Sequence, residues 1–522
     1  MAHGSRHFDV LAPRSKFYHG PFGRLCPDLP PWTPPGVAEC NIDDFFLDIA
    51  NNLMVELPGE LPGDIASDPQ KVQNLEQKFS SNIPAGYTYF GQFIDHDITF
   101  DPASSLMRQN DPNGLLNFRT PRLDLDNIYG AGPDDQPYLY DQDDKTILMA
   151  VDLVGGDASR PDLPRFRKRA LIGDMRNDEN SMVSQLQLAF LLAHNTLVRR
   201  AQMEFPGIKK KDSFEKARKT LRWLYQHIVW NDFVKRIVVD EVYKVALKLE
   251  ETPDKRKRWT CGLGDVYRWK HQPFMPIEFS VAAYRFGHSM VRNSYQTNFP
   301  ERGFGSFAPI FDNTGAQDPD DLRGFRPMKL ENMIQWDWFL PMTTSSGQFP
   351  QMARKIDTKL ANALSFLHEG GVGDPMNVLA FRNLKRSWTF GLPSGTDVAK
   401  KWCLNPLKLQ NDEPDSLWYY ILREAQGNGG NTMGRVGSVI VSSVFAGLLK
   451  GDPHSWINTE PCWNPDDDPL LVSEGDEADN RDDPDGKWTL ASIIRIAGIK
   501  ADGIGTVNSL PAPLSEHETE TG

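Results

Sequence analysis

Cysteine is scarce in this chain. Five residues in 522, Cys26, Cys40, Cys261, Cys403 and Cys462, are widely spaced and form no CxxC pair. That excludes a disulfide framework and a cysteine-based zinc cluster, and it fits a reducing compartment. The opening MAHGSRHFDVLAPRSKF lacks the apolar core of a signal peptide. The expected location is therefore cytoplasmic, or outside the cell by export without a cleavable signal peptide. Long hydrophobic runs are missing too. The longest, VGSVIVSSVFAGLL at 436–449, is too short and too polar to span a bilayer. Positive charge is in deficit, with 57 Lys and Arg against 70 Asp and Glu, so a nucleic acid is not the expected partner. Alternating strand patterns are few, and no repeat of fixed period is visible.

Aromatic and aliphatic side chains are plentiful. Hydrophobic residues make up 39% of the chain, with 29 Phe and 13 Trp, enough for a substantial core. Residues 1–40, with PDLPPWTPPG, read as an irregular N-terminal arm. Helical periodicity dominates beyond it: NSMVSQLQLAFLLAHNTLVRRAQMEF, FEKARKTLRWLYQHIVWNDFVKRIV, FSVAAYRFGHSMVRNSY, DSLWYYILREAQ and MGRVGSVIVSSVFAGLLKG. The expectation is a mainly α fold with few short strands, one large catalytic domain over 41–510 and a flexible tail over 511–522. The acidic stretch at 464–486 reads as a solvated loop inserted in that domain.

Four polar clusters interrupt apolar helical stretches. In YFGQFIDHDITF (89–100), Gln92, Asp95, His96 and Thr99 fall at i, i+3, i+4 and i+7 on one helix face. Asp97 points about 100° away from His96. Burying such charges is costly unless they are paired, hydrogen-bonded or bound to metal. For a lone histidine, a satisfied core residue is the better reading; this density of polar groups fits that reading less well. LIGDMRNDENSM places Arg176 and Glu179 three apart before the long helix, where a surface ion pair is the bland alternative. YRFGHSMVR sets His288 in an apolar helix with Arg285 one turn earlier, and NVLAFRNLKRSWTFGLP holds Asn383 and Arg386. Peroxide chemistry on haem would use all four. It needs an axial imidazole held by a hydrogen bond, a base to move a proton between the peroxide oxygens, and a fixed cation.

Spacing alone does not pair these segments. FGQFIDHDITF, GDMRNDE, YRFGHSMV and NLKRSWTFGLP, in this order and at these separations, resemble the animal-type haem peroxidase superfamily, also called the peroxidase–cyclooxygenase superfamily. The resemblance runs from about residue 85 to about residue 455, and LWYYILREAQGNGGNTMGRVGSVIVSSVFAGLLKGDP is similar to its bacterial branch. It implies a helical fold around a central haem b. Hydrogen peroxide would be reduced through an oxyferryl intermediate, and halides (bromide, iodide), thiocyanate or phenols would be oxidised.

By resemblance, His96 is the distal base, Arg176 the distal cation, and Gln92 lines the peroxide and halide cavity. His288 is the proximal iron ligand and Asn383 the acceptor on its ring. Arg285 lies near the haem edge, and Arg386 pairs with a haem propionate. Asp95 and Glu179 match the two carboxylates that form haem esters in the family. Asn180 stands where some members carry a sulfonium-forming Met, so that link is expected to be absent. Asp97, Thr120, Arg122 through its backbone, Asp124 and Asp126 match a calcium site, an oxygen set suited to a hard cation.

A fatty-acid dioxygenase of the same superfamily would need a Tyr three residues before His288, where this chain has Arg285. Tyr284 is offset by one and is expected to point elsewhere. An Asp-His-Asp metal-dependent hydrolase would explain the triplet but leaves Arg176, His288 and Asn383 idle. SWTFG after Arg386 departs from the Arg-Asp-His-Gly run of many relatives.

Overall fold

The computed structural model describes residues 20–57, 60, 64–65, 67–100, 116–117, 119–148, 152–153, 160–269, 273–312, 320–342, 350–365, 367, 373–471 and 488–500. Residues 1–19 of the arm, 472–486 of the acidic loop and the 511–522 tail lie outside them. Helices dominate, and the strands form six antiparallel two-stranded sheets among the described residues. One of these pairs β1 (Ser80–Pro84) with β2 (Met352–Arg354), Pro84 opposite Met352 and Ser80 opposite Arg354.

The β1 strand delivers the chain directly into α1 (Gly86–Ile98), the helix of the Asp-His-Asp triplet. The first free N–H groups of α1 need partners. Ala85 donates to the Gln351 carbonyl at 2.8 Å and Gly86 to Phe339 at 2.9 Å. A Cβ at position 86 would lie 2.8 Å from the Phe339 oxygen, so the close approach requires glycine there. The helix ends where Thr99 turns extended, its hydroxyl donating to the Asp95 carbonyl at 2.9 Å.

The apolar side of α1 packs on α2 (Ser181–Glu204) and α3 (Lys210–Ile228). Phe93 stacks on Phe190 with ring centroids 4.5 Å apart, and Phe90 meets Tyr225 edge-on at 6.2 Å. Pairs of this kind contribute about 0.5–1.5 kcal/mol each beyond the area they bury. Residues 181–195 of α2 are buried on every side, as expected of a helix that runs through a core rather than over it.

The proximal segment departs from the expected α-helix. Glu278–Ala282 forms a π turn and Ala283–Met290 a 3₁₀ helix, with a break at Ala282 (φ −121°, ψ −75°). Side chains serve carbonyls of this segment: Arg285 Nε donates to Ser280 at 3.1 Å, and Trp418 Nε1 donates to Arg285 at 3.3 Å. Three residues close a 3₁₀ turn, so Arg285 stands directly over His288.

Four further helices enclose this segment or complete the core: α4 (Leu379–Thr389), α5 (Leu417–Gly427), α6 (Arg435–Gly451) and α7 (Leu490–Ile496). One continuous core runs from Leu25 to Ile499. The described part of the arm is irregular, as expected, yet it is anchored. The buried Glu278 carboxylate accepts from Leu25 N at 3.0 Å and Cys26 N at 2.9 Å. Among the described residues, no helix is long and apolar enough to cross a membrane.

Candidate active site

A cavity of about 300 Å³ opens between α1, the 3₁₀ segment, α4 and the strap at 323–325. Gln92, Asp95 and His96 face it from α1. His96 is wholly buried, and its Nε2 has no hydrogen-bond partner. Its Nδ1 lies 2.7 Å from Asn177 Oδ1. Asn177 Nδ2 donates to Gln187 Oε1 at 2.7 Å, and Gln187 Nε2 donates to the Asn127 carbonyl at 3.4 Å. A carbonyl can only accept, so it sets the polarity of the whole chain. Nδ1 of His96 therefore carries the proton, and Nε2 turns a lone pair to the cavity. Burial first, then the Arg176 charge, pulls the His96 pKa down to about 4.

His288 faces the same cavity from the 3₁₀ segment. Asn383 Nδ2, on α4, lies 2.8 Å from its Nδ1, a donor where the resemblance implies an acceptor; turning the amide over would set Oδ1 on Nδ1–H as expected. Burial, and then the charges of Arg285, Arg382 and Arg386, hold His288 well below the ordinary imidazole pKa. A neutral imidazole fixed at one nitrogen leaves the other available to a metal. Arg285 and Arg382 both line the cavity. Two guanidiniums in one cavity can receive an anionic group there. The two haem carboxylates are of that kind, so the residues present fit haem: imidazoles on two walls and cations at the edge.

The other site residues fall as follows. Glu179 lines the cavity and accepts from Gln92 Nε2 at 2.8 Å, so it is no surface ion pair. Asp95 lines it too, accepting from the Thr99 hydroxyl at 2.9 Å. Arg176 is not part of the wall. Its guanidinium donates to the Thr99 carbonyl at 2.6 Å, the His96 carbonyl at 3.1 Å and Asp174 at 2.9 Å, one layer behind His96. Orphan carbonyls at the end of α1 hold it there. Arg386 is buried beside Phe390 and is not in the wall either. Tyr284, expected to point elsewhere, does line the cavity. Its hydroxyl donates to the Gly91 carbonyl at 3.2 Å, because the break at Ala282 and the 3₁₀ geometry turn it from the α-helical direction.

Asp97 faces away from the cavity, towards Tyr225 and the 120–126 loop. Carboxylate oxygens of Asp97, Asp124 and Asp126 lie within 4.8 Å of one another. Asp97 Oδ2 accepts from Tyr225 at 3.1 Å, while the buried Oδ1 has no hydrogen-bond partner. Thr120 donates its hydroxyl to Asp124 at 2.8 Å, and the Arg122 backbone N–H is spent on the Thr120 carbonyl at 2.8 Å. Fully buried Arg119 pairs with Asp126 and Asp174, linking this cluster to Arg176 through Asp174. Burial and the neighbouring acids Asp124 and Asp126 push the Asp97 pKa well up, and burial raises Asp124. An orphaned carboxylate oxygen among oxygen donors fits a hard cation.

Asn177, Gln187 and Arg382 went unread in the sequence. Asn177 stands one residue after Arg176, and Arg382 one before Asn383. Adjacency to motif residues was the available signal. Gln187, within a long apolar helix, carried none.

Residues 103–309 match the family model for animal haem peroxidase. That span holds Arg176, Glu179 and His288 and leaves out His96 and Asn383. A peroxidase-like protein of Margaritifera margaritifera is 25% identical over 63% of this chain and 41% of its own length. Thyroid peroxidase of Canis lupus familiaris is 24% identical over 58% and 31%. The chain thus spans less than half the length of these relatives. Among solved structures, peroxidase A of Dictyostelium discoideum shares the fold with a TM-score of 0.51 at 15% identity, over 84% of this chain and 90% of that one. The fatty acid alpha-dioxygenase of Oryza sativa gives 0.54 at 13%, over 85% and 80%. Residues 103–309 thus match the animal haem peroxidase family, the fold is shared with peroxidase A, and the four motifs gather around one cavity.

Proposed function

We propose that this protein is a haem peroxidase that reduces hydrogen peroxide and oxidises a small anion (bromide, iodide, thiocyanate) or a phenol. The observation that carries this reading is the pair of imidazoles on one cavity, buried His96 with no partner at Nε2 and His288 held at Nδ1. When bound, haem supplies an iron that takes up peroxide and stores its two oxidising equivalents. His288 would hold the iron, with Asn383 beside its ring, and Arg285 and Arg382 would receive the haem carboxylates. His96 accepts a proton from peroxide at Nε2 and returns it to the leaving oxygen. Arg176 acts through His96: burial and then its charge keep the imidazole neutral, and its guanidinium pins the end of α1.

Replacing His96 by Ala should leave haem bound and slow the reaction with peroxide about 100-fold or more, the scale of a positioned base. Replacing His288 by Ala should lose haem. A His96→Ala protein as fast as wild type would sink the assignment of the base. Fatty acid oxygenation is the second reading, favoured by Tyr284 in the cavity wall. Oxygen uptake on palmitic acid that disappears in Tyr284→Phe would establish it instead.

Asp95 and Glu179 both face the cavity, which supports ester links to haem; each link would remove a partly buried charge. The double variant Asp95→Asn, Glu179→Gln should release its haem to acidified solvent after peroxide treatment. Haem that wild type also releases would argue against esters. The Asp97, Asp124 and Asp126 cluster, with Thr120, is read as a calcium site that braces α1.

A further inference from the structure

Residues 164–171 read PRFRKRAL, and within them Arg165–Phe166 and Arg169–Ala170 pair as an antiparallel hairpin. The turn is two residues, Arg167 (φ 48°) and Lys168 (φ 74°), both in the left-handed region. Asn-Gly makes such a turn with least strain; here two long cations hold it. Side chains alternate between the faces of a strand. Arg165 and Ala170 take the inner face and are buried. Arg165 donates to Asp162 at 2.9 Å, to the two oxygens of Asp178 at 2.7 and 2.8 Å, and to the Lys168 carbonyl at 3.1 Å. A two-pronged guanidinium pair of this kind fixes geometry, so the hairpin is bolted to the segment that carries Glu179. Phe166 and Arg169 take the outer face. The Phe166 ring is 63% exposed, with the Arg167 guanidinium 5.4 Å from its centre. Arg167, Lys168 and Arg169 are exposed, and none has a carboxylate partner among the described residues. In a chain of net charge −13, three adjacent cations on a strained turn reverse the local sign. Phe299 and Phe304, also exposed, lie on the loop that Glu301 ties to Arg160 at 2.9 Å, two residues before Asp162.

We propose that this hairpin is a membrane-docking element: Phe166 enters the boundary between headgroups and acyl chains of an anionic bilayer, and Arg167, Lys168 and Arg169 bind the lipid phosphates. The cations have apolar stems, so their heads stay at the phosphate level while the ring goes deeper. A lasting protein interface takes about 20–30 residues a side, and the tip offers four exposed ones, 166–169. A charged lipid surface needs no shaped partner, only the sign and the ring that the tip supplies. Binding of this size is reversible and falls with salt. The proposal is independent of the haem chemistry.

Sedimentation of the full chain with lipid vesicles tests it. With about 30% phosphatidylserine in phosphatidylcholine, at about 0.1 M salt, partitioning should exceed that on pure phosphatidylcholine about tenfold or more. Each cation near such a surface contributes about fivefold, so the triple variant Arg167→Gln, Lys168→Gln, Arg169→Gln should bind about 100-fold more weakly. Phe166→Ser keeps the charges and should bind about fivefold or more weakly; it serves if the triple variant folds poorly. Lys209, Lys210 and Lys211 are three exposed cations past the far end of α2, about 36 Å of helix away. Changing all three to Gln should leave binding within about twofold, since that distance exceeds the screening length. Wild-type protein that stays in solution with the charged vesicles would overturn the proposal. Equal losses in the two triple variants would remove the hairpin as the docking point. Retention on polyglutamate without vesicle binding would replace the bilayer by an acidic polypeptide.

Discussion

At the scale of single residues, the chemistry depends on which nitrogen of His96 holds its proton. The Asn127 carbonyl decides this through Gln187 and Asn177. Asn177→Leu removes the acceptor at Nδ1, so the proton can move to Nε2 and the base is lost from a fraction of molecules. The second-order rate with peroxide, measured by stopped flow, should fall about tenfold or more, against about 10²–10⁴ for a complete general-base contribution. An unchanged rate would contradict the relay. The pH dependence follows from the same residue. Only the neutral form accepts a proton, and the folded pKa is depressed from 6.5 to about 4. The rate should therefore stay level from about pH 8 down to about pH 5 and fall as pH drops through about 4. A fall centred near 6.5 would mean that neither burial nor Arg176 tunes the imidazole. His96, His288, Asn383, Gln92 and Glu179 were legible because each stands in a short motif. Arg382 was not, since one of two arginines in NVLAFRNLKRSW has no local sign of facing a cavity. Arg386 is the carboxylate partner that the resemblance implies, whereas Arg382 is the one in the cavity wall.

At the scale of elements, α1 is held at one end by β1 and its carbonyl partners and at the other by the acidic cluster. The helices α2 and α3 were readable from periodicity because their apolar positions recur over many turns. The 278–290 segment was not, because its π and 3₁₀ turns are fixed by Arg285 and Trp418 bonds that no local pattern announces. The Asp-His-Asp triplet was readable as three directions of one helix. A cation at Asp97, Asp124 and Asp126 would clamp the end of α1 to the 120–126 loop, with Tyr225 of α3 on Asp97. Removing it with a chelator at neutral pH should lower Tm and weaken haem retention together. The pH dependence has a definite sign. Folded pKa values of Asp97 and Asp124 lie above their ordinary value of 3.8. Without a cation, the folded state keeps protons that the unfolded chain releases, so stability is lost as pH rises through the raised values. Calcium replaces those protons, so the Tm gained on adding it should grow as pH rises above the ordinary carboxylate value. A Tm indifferent to chelator at neutral pH, or a gain that does not change with pH, would remove calcium from the account.

At the scale of the whole molecule, the site is assembled across nearly the full length of the described chain. His96 and Asn383 lie 287 positions apart, yet both meet one cavity through one core that runs from Leu25 to Ile499. No segment holds the site alone, which is why spacing within the sequence left the four motifs unpaired until a resemblance joined them. The charge balance, the scarcity of cysteine and the scarcity of strand patterns bound the class of fold; only packing shows which polar groups share a cavity. The most direct test of the account is a visible absorption spectrum of the purified, haem-supplemented protein, before and after one equivalent of hydrogen peroxide. The account predicts an intense haem band, lost in His288→Ala, that shifts at once on adding peroxide in wild type. A colourless protein, or a haem band indifferent to peroxide, would contradict it.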